Sequence, residues 1–267
     1  MAQIKVIVNG GLGRMGQQVV NAVAADPELE LIGAADIKAA VEGLPAPVKS
    51  GSVPLRPSLG SLLEFLHPDV VVDFTVAESG MDAARRSLQS GACIVMGTTG
   101  LNEENLNEIN QLALKHNKGA VVAANFAIGA VMLMHLAKIA ARYFDNAEII
   151  ELHHDKKLDA PSGTALATAR AMGKSRGKPF NYPRTERETL QGTRGGQSEG
   201  ISIHSVRLPG LVASQEVIFG ALGQTLSLRH DMLSRESFMP GVILAVKEVV
   251  KRKGLVFGLD VLLNLGD

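Results

Sequence analysis

The feature that most restricts this chain is a strand-like run, Ile4-Lys5-Val6-Ile7-Val8, that passes through a glycine-rich turn straight into the helical pattern of Arg14–Ala25. The turn reads Gly11-Leu12-Gly13-Arg14-Met15-Gly16, a G-x-G-x-x-G spacing with Gly10 ahead of it. Between a strand and a helix these glycines allow a tight turn, expose bare backbone N–H groups to a pyrophosphate, and let the helix pack close to the strand. An ordinary glycine-rich turn is the competing reading, because 28 of the 267 residues are glycine and such spacings arise by chance. Context favours the dinucleotide. Asp36 lies twenty residues past Gly16, at the end of the next strand-like run Leu29–Ala35, where a ribose hydroxyl finds its acceptor. The same carboxylate repels a 2′-phosphate, whereas Arg14 and Lys38 stand near enough in sequence to pair with one, so NADH and NADPH both stay open.

Further apolar runs at 70–74, 94–96 and 120–123 alternate with amphipathic helical patterns at 80–90 and 102–116. That order predicts an α/β fold, a parallel sheet covered by helices. Segment 43–57, rich in Gly, Pro and Ser, reads as an irregular crossing. Beyond Asn125 the character changes. A long apolar helix over 129–143 leads to a strand at 147–152, a charged loop and a helix at 162–172. Residues 175–200 are polar and broken by Gly and Pro, which reads as a long mobile segment. Strands are expected at 201–208, 215–219 and 225–230, and a final helix at 240–253. The reading is therefore a Rossmann dinucleotide-binding domain built from 1–126 and 236–267, with an α+β substrate and oligomerisation domain over 127–235 carrying an open mixed sheet.

Charge narrows the partners. Lys plus Arg number 27 and Asp plus Glu number 27, so no overall field draws the chain to nucleic acid or an anionic membrane. No apolar stretch reaches the roughly 18 residues of a membrane span, and the strand-like run that starts at Ile4 gives the expectation that no signal or transit peptide is present. A single cysteine, Cys93, sits in an apolar run and reads as a buried thiol in a reducing cytoplasm.

Two loops end what should be parallel strands, the edge where open α/β sheets hold ligands: Gly97-Thr98-Thr99-Gly100 and Ala124-Asn125-Phe126. Their small residues admit the nicotinamide end of a cofactor, and the Thr hydroxyls and the Asn amide offer orienting hydrogen bonds. Asp73-Phe74-Thr75 has the same position and the same ambiguity with a plain turn.

The densest chemistry lies at His153-His154-Asp155-Lys156-Lys157, which holds two of the seven histidines and two lysines within five residues. The lysines oppose a metal cation, and no Cys or third His stands at ligand spacing. An anionic substrate explains the cluster better. Adjacent cations lower one another's proton affinity and a bound dicarboxylate restores it, so that His153 or Lys157 supplies a proton near neutral pH. Pro161 suits a first helical turn, and Ser162-Gly163-Thr164 offers free N–H groups and a hydroxyl to a carboxylate. A basic surface loop before a well-capped helix is the plain alternative.

The run E-L-H-H-D-K-K-L-D-A-P-S-G-T-A at Glu151 to Ala165 resembles the signature of the 4-hydroxy-tetrahydrodipicolinate reductase family. The likeness continues, in collinear order, through G-x-x-G-R-M-G at Gly10 to Gly16, D-F-T at Asp73, G-T-T-G at Gly97, A-N-F at Ala124 and S-R-x-x-F at Ser234 to Phe238. It implies hydride transfer from NADH or NADPH to a small cyclic dicarboxylate in lysine and diaminopimelate biosynthesis. By position it implies His153 as the acid/base residue, Lys157 as proton donor, and His154, Gly163 and Thr164 on the substrate carboxylates. Gly10, Gly11, Leu12, Gly13, Arg14, Met15, Asp36, Gly97, Thr98, Thr99, Ala124, Asn125, Phe126 and Ala127 would line the cofactor, with Lys38 beside Asp36. The resemblance also implies a homotetramer, or a dimer, and closure of two domains over the reaction. Residue 127 departs from many relatives, which carry a hydroxyl or thioether there. Two rivals are a dehydrogenase of similar layout acting on aspartate or homoserine, and a sensor that binds the dinucleotide without catalysis. An intact proton-donor set argues against a sensor.

Overall fold

An apolar run buried along its whole length belongs to an interior parallel strand, and the short runs of the first half obey that rule. Val70–Asp73, Cys93–Met96 and Gly119–Val122 are buried at every position. The computed structural model describes residues 2–39 and 52–266, and it divides into two units. One comprises Met1–Ile128 with Phe238–Asp267, the other Gly129–Ser237.

In chain order the first unit opens with β1 (Ile4–Asn9), α1 (Arg14–Ala25), β2 (Leu29–Ala35), β3 (Leu55–Arg56), α2 (Leu59–Leu63) and β4 (Val70–Asp73). It continues with α3 (Ala77–Gln89), β5 (Cys93–Met96), α4 (Glu103–Lys115), β6 (Gly119–Val122) and the first residue of α5 (Ile128–Ala140). The second unit holds β7 (Asn146–His153), α6 (Gly163–Arg176), β8 (Gly196–Ser198), β9 (Ile201–Arg207), β10 (Ala213–Ala221) and β11 (Gln224–Met232). A 3-10 turn at Arg235–Phe238 leads back to the first unit with α7 (Met239–Val249), β12 (Gly254–Phe257) and α8 (Leu259–Leu262).

The seven-stranded sheet of the first unit has the order β12-β6-β5-β4-β1-β2-β3, parallel throughout. The chain runs outward from β1 to β2 and β3, then returns to β4 and proceeds the other way. The order therefore reverses between β1 and β4, the position at which loops part and ligands enter such sheets. On one face Ile7, Val71, Ile94 and Met96 pack with Leu62 of α2, Leu88 of α3 and Ile109 of α4. The helices α1 and α7 turn Val19, Val23, Val242 and Val246 inward as well. Each such side chain withdrawn from water contributes about 1.5 to 3 kcal/mol.

The second unit is a mixed five-stranded sheet, β11-β10-β7-β9-β8, in which only β7 and β9 run parallel. Its inner face places Ile149, Ile203, Val217 and Phe219 against Leu133 and Ala137 of α5 and Ala169 and Met172 of α6. Strand alternation turns Glu148, Ile150, Leu152, Glu216 and Ile218 to the opposite face, and no helix of this unit covers them.

Local signals explain most element ends. Asn102 and Asn105 form a reciprocal capping box at the start of α4, and Gly177 ends α6 in the left-handed region. Five stretches depart from the sequence reading. The final helix stops at Val249 because Gly254 donates to Lys118 O at 2.9 Å and starts an edge strand beside β6. The polar segment 175–200 contributes its first residues to α6 and residues 196–198 to β8. Most of the crossing expected over 43–57 lies outside the described residues, but Leu55 and Arg56 pair with β2 as β3. The short helices α2 and α8 had no expectation attached. Cys93 is buried, as expected, and burial raises its thiol pKa.

The close packing of the glycine turn is testable. A Cβ on Gly16 would lie 1.9 Å from Gly10 O, a backbone atom that cannot yield without moving β1. Gly16→Ala should therefore lower stability by about 3 kcal/mol, the upper range for overpacking, and a denaturant melt at wild-type stability would show that the turn relaxes freely.

Candidate active site

The glycine turn is fastened from β2. Gly10 and Gly11 donate to Ala35 O at 2.8 and 3.0 Å, and Leu12 N donates to Asp36 Oδ2 at 3.0 Å. The other oxygen of Asp36 accepts Lys38 N at 2.9 Å, so one carboxylate holds both the turn and the loop after β2. Gly10 adopts φ +82°, and a Cβ there would meet Thr75 Cγ2 at 3.0 Å. Gly13 is the N-cap of α1 and no side chain caps the first turn, which leaves its N–H groups to a ligand. A bare turn, an uncapped helix start and a carboxylate at the neighbouring strand end fit the pyrophosphate and ribose of a dinucleotide. Arg14 and Lys38 are both exposed beside it.

The ends of β4, β5 and β6 complete this edge. Asp73 is fully buried and accepts Asn9 Nδ2 at 2.7 Å, Thr75 Oγ1 at 2.9 Å and Thr98 Oγ1 at 2.5 Å. It thereby ties the carboxyl ends of β1, β4 and β5 together. The Thr98 hydroxyl is thus committed to Asp73, and Thr99 is the exposed member of the pair. Gly97 lies against the Phe74 ring, where a Cβ would come within 2.1 Å, and Phe74 in turn packs on Phe126 with centroids 5.7 Å apart. Asn125 Oδ1 accepts Ala127 N at 2.9 Å and shapes the loop after β6, with Ala124 exposed and Phe126 and Ala127 buried beneath it.

In the second unit the cluster forms where β7 and β9 end side by side and α6 begins. Alternation puts Glu151 and His153 on the inner face of β7, and register places Arg207 opposite His153. Glu151 is fully buried. It accepts Arg207 Nη2 at 2.7 Å and Nη1 at 3.0 Å, Ser162 N at 3.3 Å, and the Nδ1 of His153. Burial opposes its ionisation, but hydrogen bonds from Arg207, Ser205 and His153 prevail and hold its pKa below the usual carboxylate value. Burial likewise lowers the His153 pKa, Glu151 counteracts, and the charges of Lys157 and Arg207 lower it further. Lys157 Nζ donates to Asp159 Oδ1 at 2.7 Å, and Arg207 also donates to Asp159 O at 2.7 Å. Ser162 caps α6 by accepting Ala165 N at 3.2 Å, and nothing lies within 4 Å of the position a Cβ would take on Gly163. The first turn of α6 thus presents open backbone beside His153 and the paired cations Lys157 and Arg207. Among the described residues no group of His, Cys, Asp and Glu has the makings of a metal site.

The profile of the dihydrodipicolinate reductase N-terminus matches residues 4–126 and that of its C-terminus matches residues 129–263. The chain belongs to the dihydrodipicolinate reductase family. It is 53% identical over 265 residues, 99% of this chain and 100% of the relative, to the 4-hydroxy-tetrahydrodipicolinate reductase of Dehalococcoides mccartyi. That of Syntrophomonas wolfei is 48% identical, with 97% of this chain and 98% of the relative covered. A solved structure, dipicolinate-bound dihydrodipicolinate reductase from Paenisporosarcina sp. TG-14, superposes with a TM-score of 0.88 at 42% identity, covering 97% of this chain and 98% of that one. A scyllo-inositol dehydrogenase from Lactobacillus casei, at 10% identity and a TM-score of 0.60, shares the fold alone.

Within this dihydrodipicolinate reductase, the sequence-predicted residues gather into two groups. Gly10 to Met15, Asp36, Gly97 to Thr99 and Ala124 to Ala127 lie at the carboxyl ends of β1, β2, β5 and β6, with Lys38 in the loop after β2. His153, His154, Lys157, Gly163 and Thr164 lie between the end of β7 and the first turn of α6. Sequence reasoning gave no role to Glu151, Asp159 or Arg207. Glu151 stood inside the quoted run, but Arg207 lies 56 residues from it and only strand pairing unites them.

Removal of Arg207 tests the cluster. A buried carboxylate stripped of its guanidinium costs about 3 to 5 kcal/mol, so Arg207→Ala should lose stability by that order at neutral pH. The sign with pH follows from both depressed pKa values: their stabilisation is present above the unfolded values near 6.5 for His153 and 4.5 for Glu151 and is lost as pH falls through the folded ones. Urea melts of the wild type should weaken from pH 6.5 downward, and the gap to Arg207→Ala should narrow toward pH 4, where a carboxyl without its partner is protonated. A gap that is constant with pH would contradict this assignment.

Proposed function

We propose that the carboxyl edge of the parallel sheet binds a nicotinamide dinucleotide and that the cluster at the end of β7 binds and protonates a small cyclic dicarboxylate. As a dihydrodipicolinate reductase, the chain is an NAD(P)H-dependent oxidoreductase of lysine and diaminopimelate biosynthesis. It converts 4-hydroxy-tetrahydrodipicolinate to tetrahydrodipicolinate: the 4-hydroxyl leaves as water to give dihydrodipicolinate, and a hydride and a proton reduce that ring. The observation that carries the reading is His153 grouped with the cations Lys157 and Arg207 beside the open first turn of α6. It suits a ring bearing two carboxylates, and dipicolinate, the molecule bound to the relative from Paenisporosarcina, is such a ring.

The residues then divide by task. The Gly10 to Met15 backbone receives the pyrophosphate, Asp36 the adenosine ribose, and the loops Gly97 to Thr99 and Ala124 to Ala127 the nicotinamide end. Asp36 suits a free 2′-hydroxyl and Arg14 with Lys38 suits a 2′-phosphate, so the site admits NADH and NADPH. When bound, the dinucleotide supplies a hydride. Reduction of the substrate ring leaves an electron pair beside the new C–H bond, and Lys157 with His153 delivers the proton that meets it. His154, Gly163 and Thr164 hold the ring carboxylates through side-chain and backbone donors. The half-exposed sheet face bearing Ile150, Leu152 and Ile218 is the surface through which copies would join as a homotetramer, or as a dimer. A buried free thiol and the absence, among the described residues, of any helix long and apolar enough to cross a membrane are consistent with a cytoplasmic enzyme.

The direct assay is loss of cofactor absorbance on adding the freshly made product of dihydrodipicolinate synthase, run in parallel with NADH and NADPH. A sensor that binds without catalysis would leave the absorbance flat. Lys157→Ala should lower kcat by about 10² to 10⁴-fold, the usual worth of a positioned proton donor, with the dinucleotide Kd unchanged within a few-fold. Equal loss of turnover and cofactor binding would remove Lys157 from the proton-donor role.

A further inference from the structure

We propose that Glu151 is the positioning residue of His153: its carboxylate holds the imidazole by Nδ1 and leaves Nε2 as the nitrogen that exchanges a proton with the substrate. The inference rests on the reading of His153 as the acid/base group.

The geometry carries it. Glu151 and His153 are separated by one residue of β7, so both project from the same face at the strand's carboxyl end. Oε2 of Glu151 takes the Nδ1 of His153 together with Arg207 Nη1, while Oε1 takes Arg207 Nη2 and Ser162 N. A bidentate guanidinium on a fully buried carboxylate keeps it ionised and fixes its plane. An ionised carboxylate can only accept, so His153 Nδ1 carries the hydrogen, and in the neutral ring Nε2 is the free base.

The charges around the imidazole make this contact consequential. Lys157 and Arg207 are cations that disfavour imidazolium, and Glu151 is the anion in direct contact that favours it. Asp159 faces Lys157 and not the ring. Glu151 therefore raises the proton affinity of His153 and offsets in part the burial and two positive neighbours that lower it. Its bond to Ser162 N also fastens the start of α6, so one carboxylate sets the register between the acid/base group and the open turn at Gly163.

The test uses the full chain with NADH or NADPH and the dihydrodipicolinate synthase product. Glu151→Gln should lower kcat at neutral pH by about 10- to 100-fold, as loss of a ligand-orienting partner does elsewhere, while the dinucleotide Kd stays within twofold. The alkaline limb of its kcat–pH profile should move down by about one unit, and Glu151→Asp should restore part of that shift. A purely structural role for Glu151 would reduce activity without moving the limb, and that result overturns the proposal. Imidazole ¹⁵N NMR on the wild-type protein gives a second readout that needs no variant: neutral His153 should be the Nδ1–H tautomer, and an Nε2–H tautomer overturns the proposal. If the wild type consumes no cofactor, the reductase reading fails while the tautomer still decides the Glu151–His153 pairing.

Discussion

The loops of both units are secured by carboxylates at strand ends that accept donors from their neighbours, Asp73 and Glu151 fully buried and Asp36 partly so. Asp36 holds the glycine turn to the end of β2, Asp73 joins the ends of β1, β4 and β5, and Glu151 joins β7, β9 and the start of α6. An acceptor withdrawn from water must be satisfied by the protein or lose several kcal/mol. Each of these residues therefore demands a particular arrangement of several segments at once, and the loops at those strand ends inherit its precision.

The two units solve different problems by this means. In the parallel sheet, hydrophobic strands buried on both faces leave their polar chemistry to the loops, and the reversal between β1 and β4 separates those loops enough to admit a flat cofactor. The backbone there is kept bare: a side chain on Gly16 or Gly97 would strike Gly10 O or the Phe74 ring. In the mixed sheet the chemistry is carried by side chains. The cations Arg207 and Lys157 are each paired, with Glu151 and Asp159, and His153 is held at Nδ1 by Glu151 beside them. A dianionic ligand would raise the proton affinity that burial and the two cations lower at His153, which is the electrostatic argument for the proposed dicarboxylate site.

Much of the fold was legible. The register of α1 and β2 matched their observed limits, because Asp26-Pro27 stops the helix and the glycine turn starts it. The misses share a cause. Segments β3, β8 and β12 are two to four residues long and owe their existence to a neighbour: β3 to β2, β8 to β9, β12 to β6. β3 and β8 are too short for any local periodicity, whereas β12, as long as β4, follows directly on the apolar pattern read as the helix 240–253 and was overlooked beside it. Thr98 was expected to orient a ligand through its hydroxyl, yet Asp73, 25 residues away, takes that hydrogen bond.

The sequence by itself determined what depends on neighbours along the chain: the α/β alternation, the glycine spacing that only a close backbone turn requires, and the His and Lys density behind the proposed anion site. Only the tertiary structure decided how the cluster is charged and oriented. Arg207 reaches Glu151 because β9 pairs in parallel with β7, and strand pairing is a choice among distant segments that no short window of residues encodes.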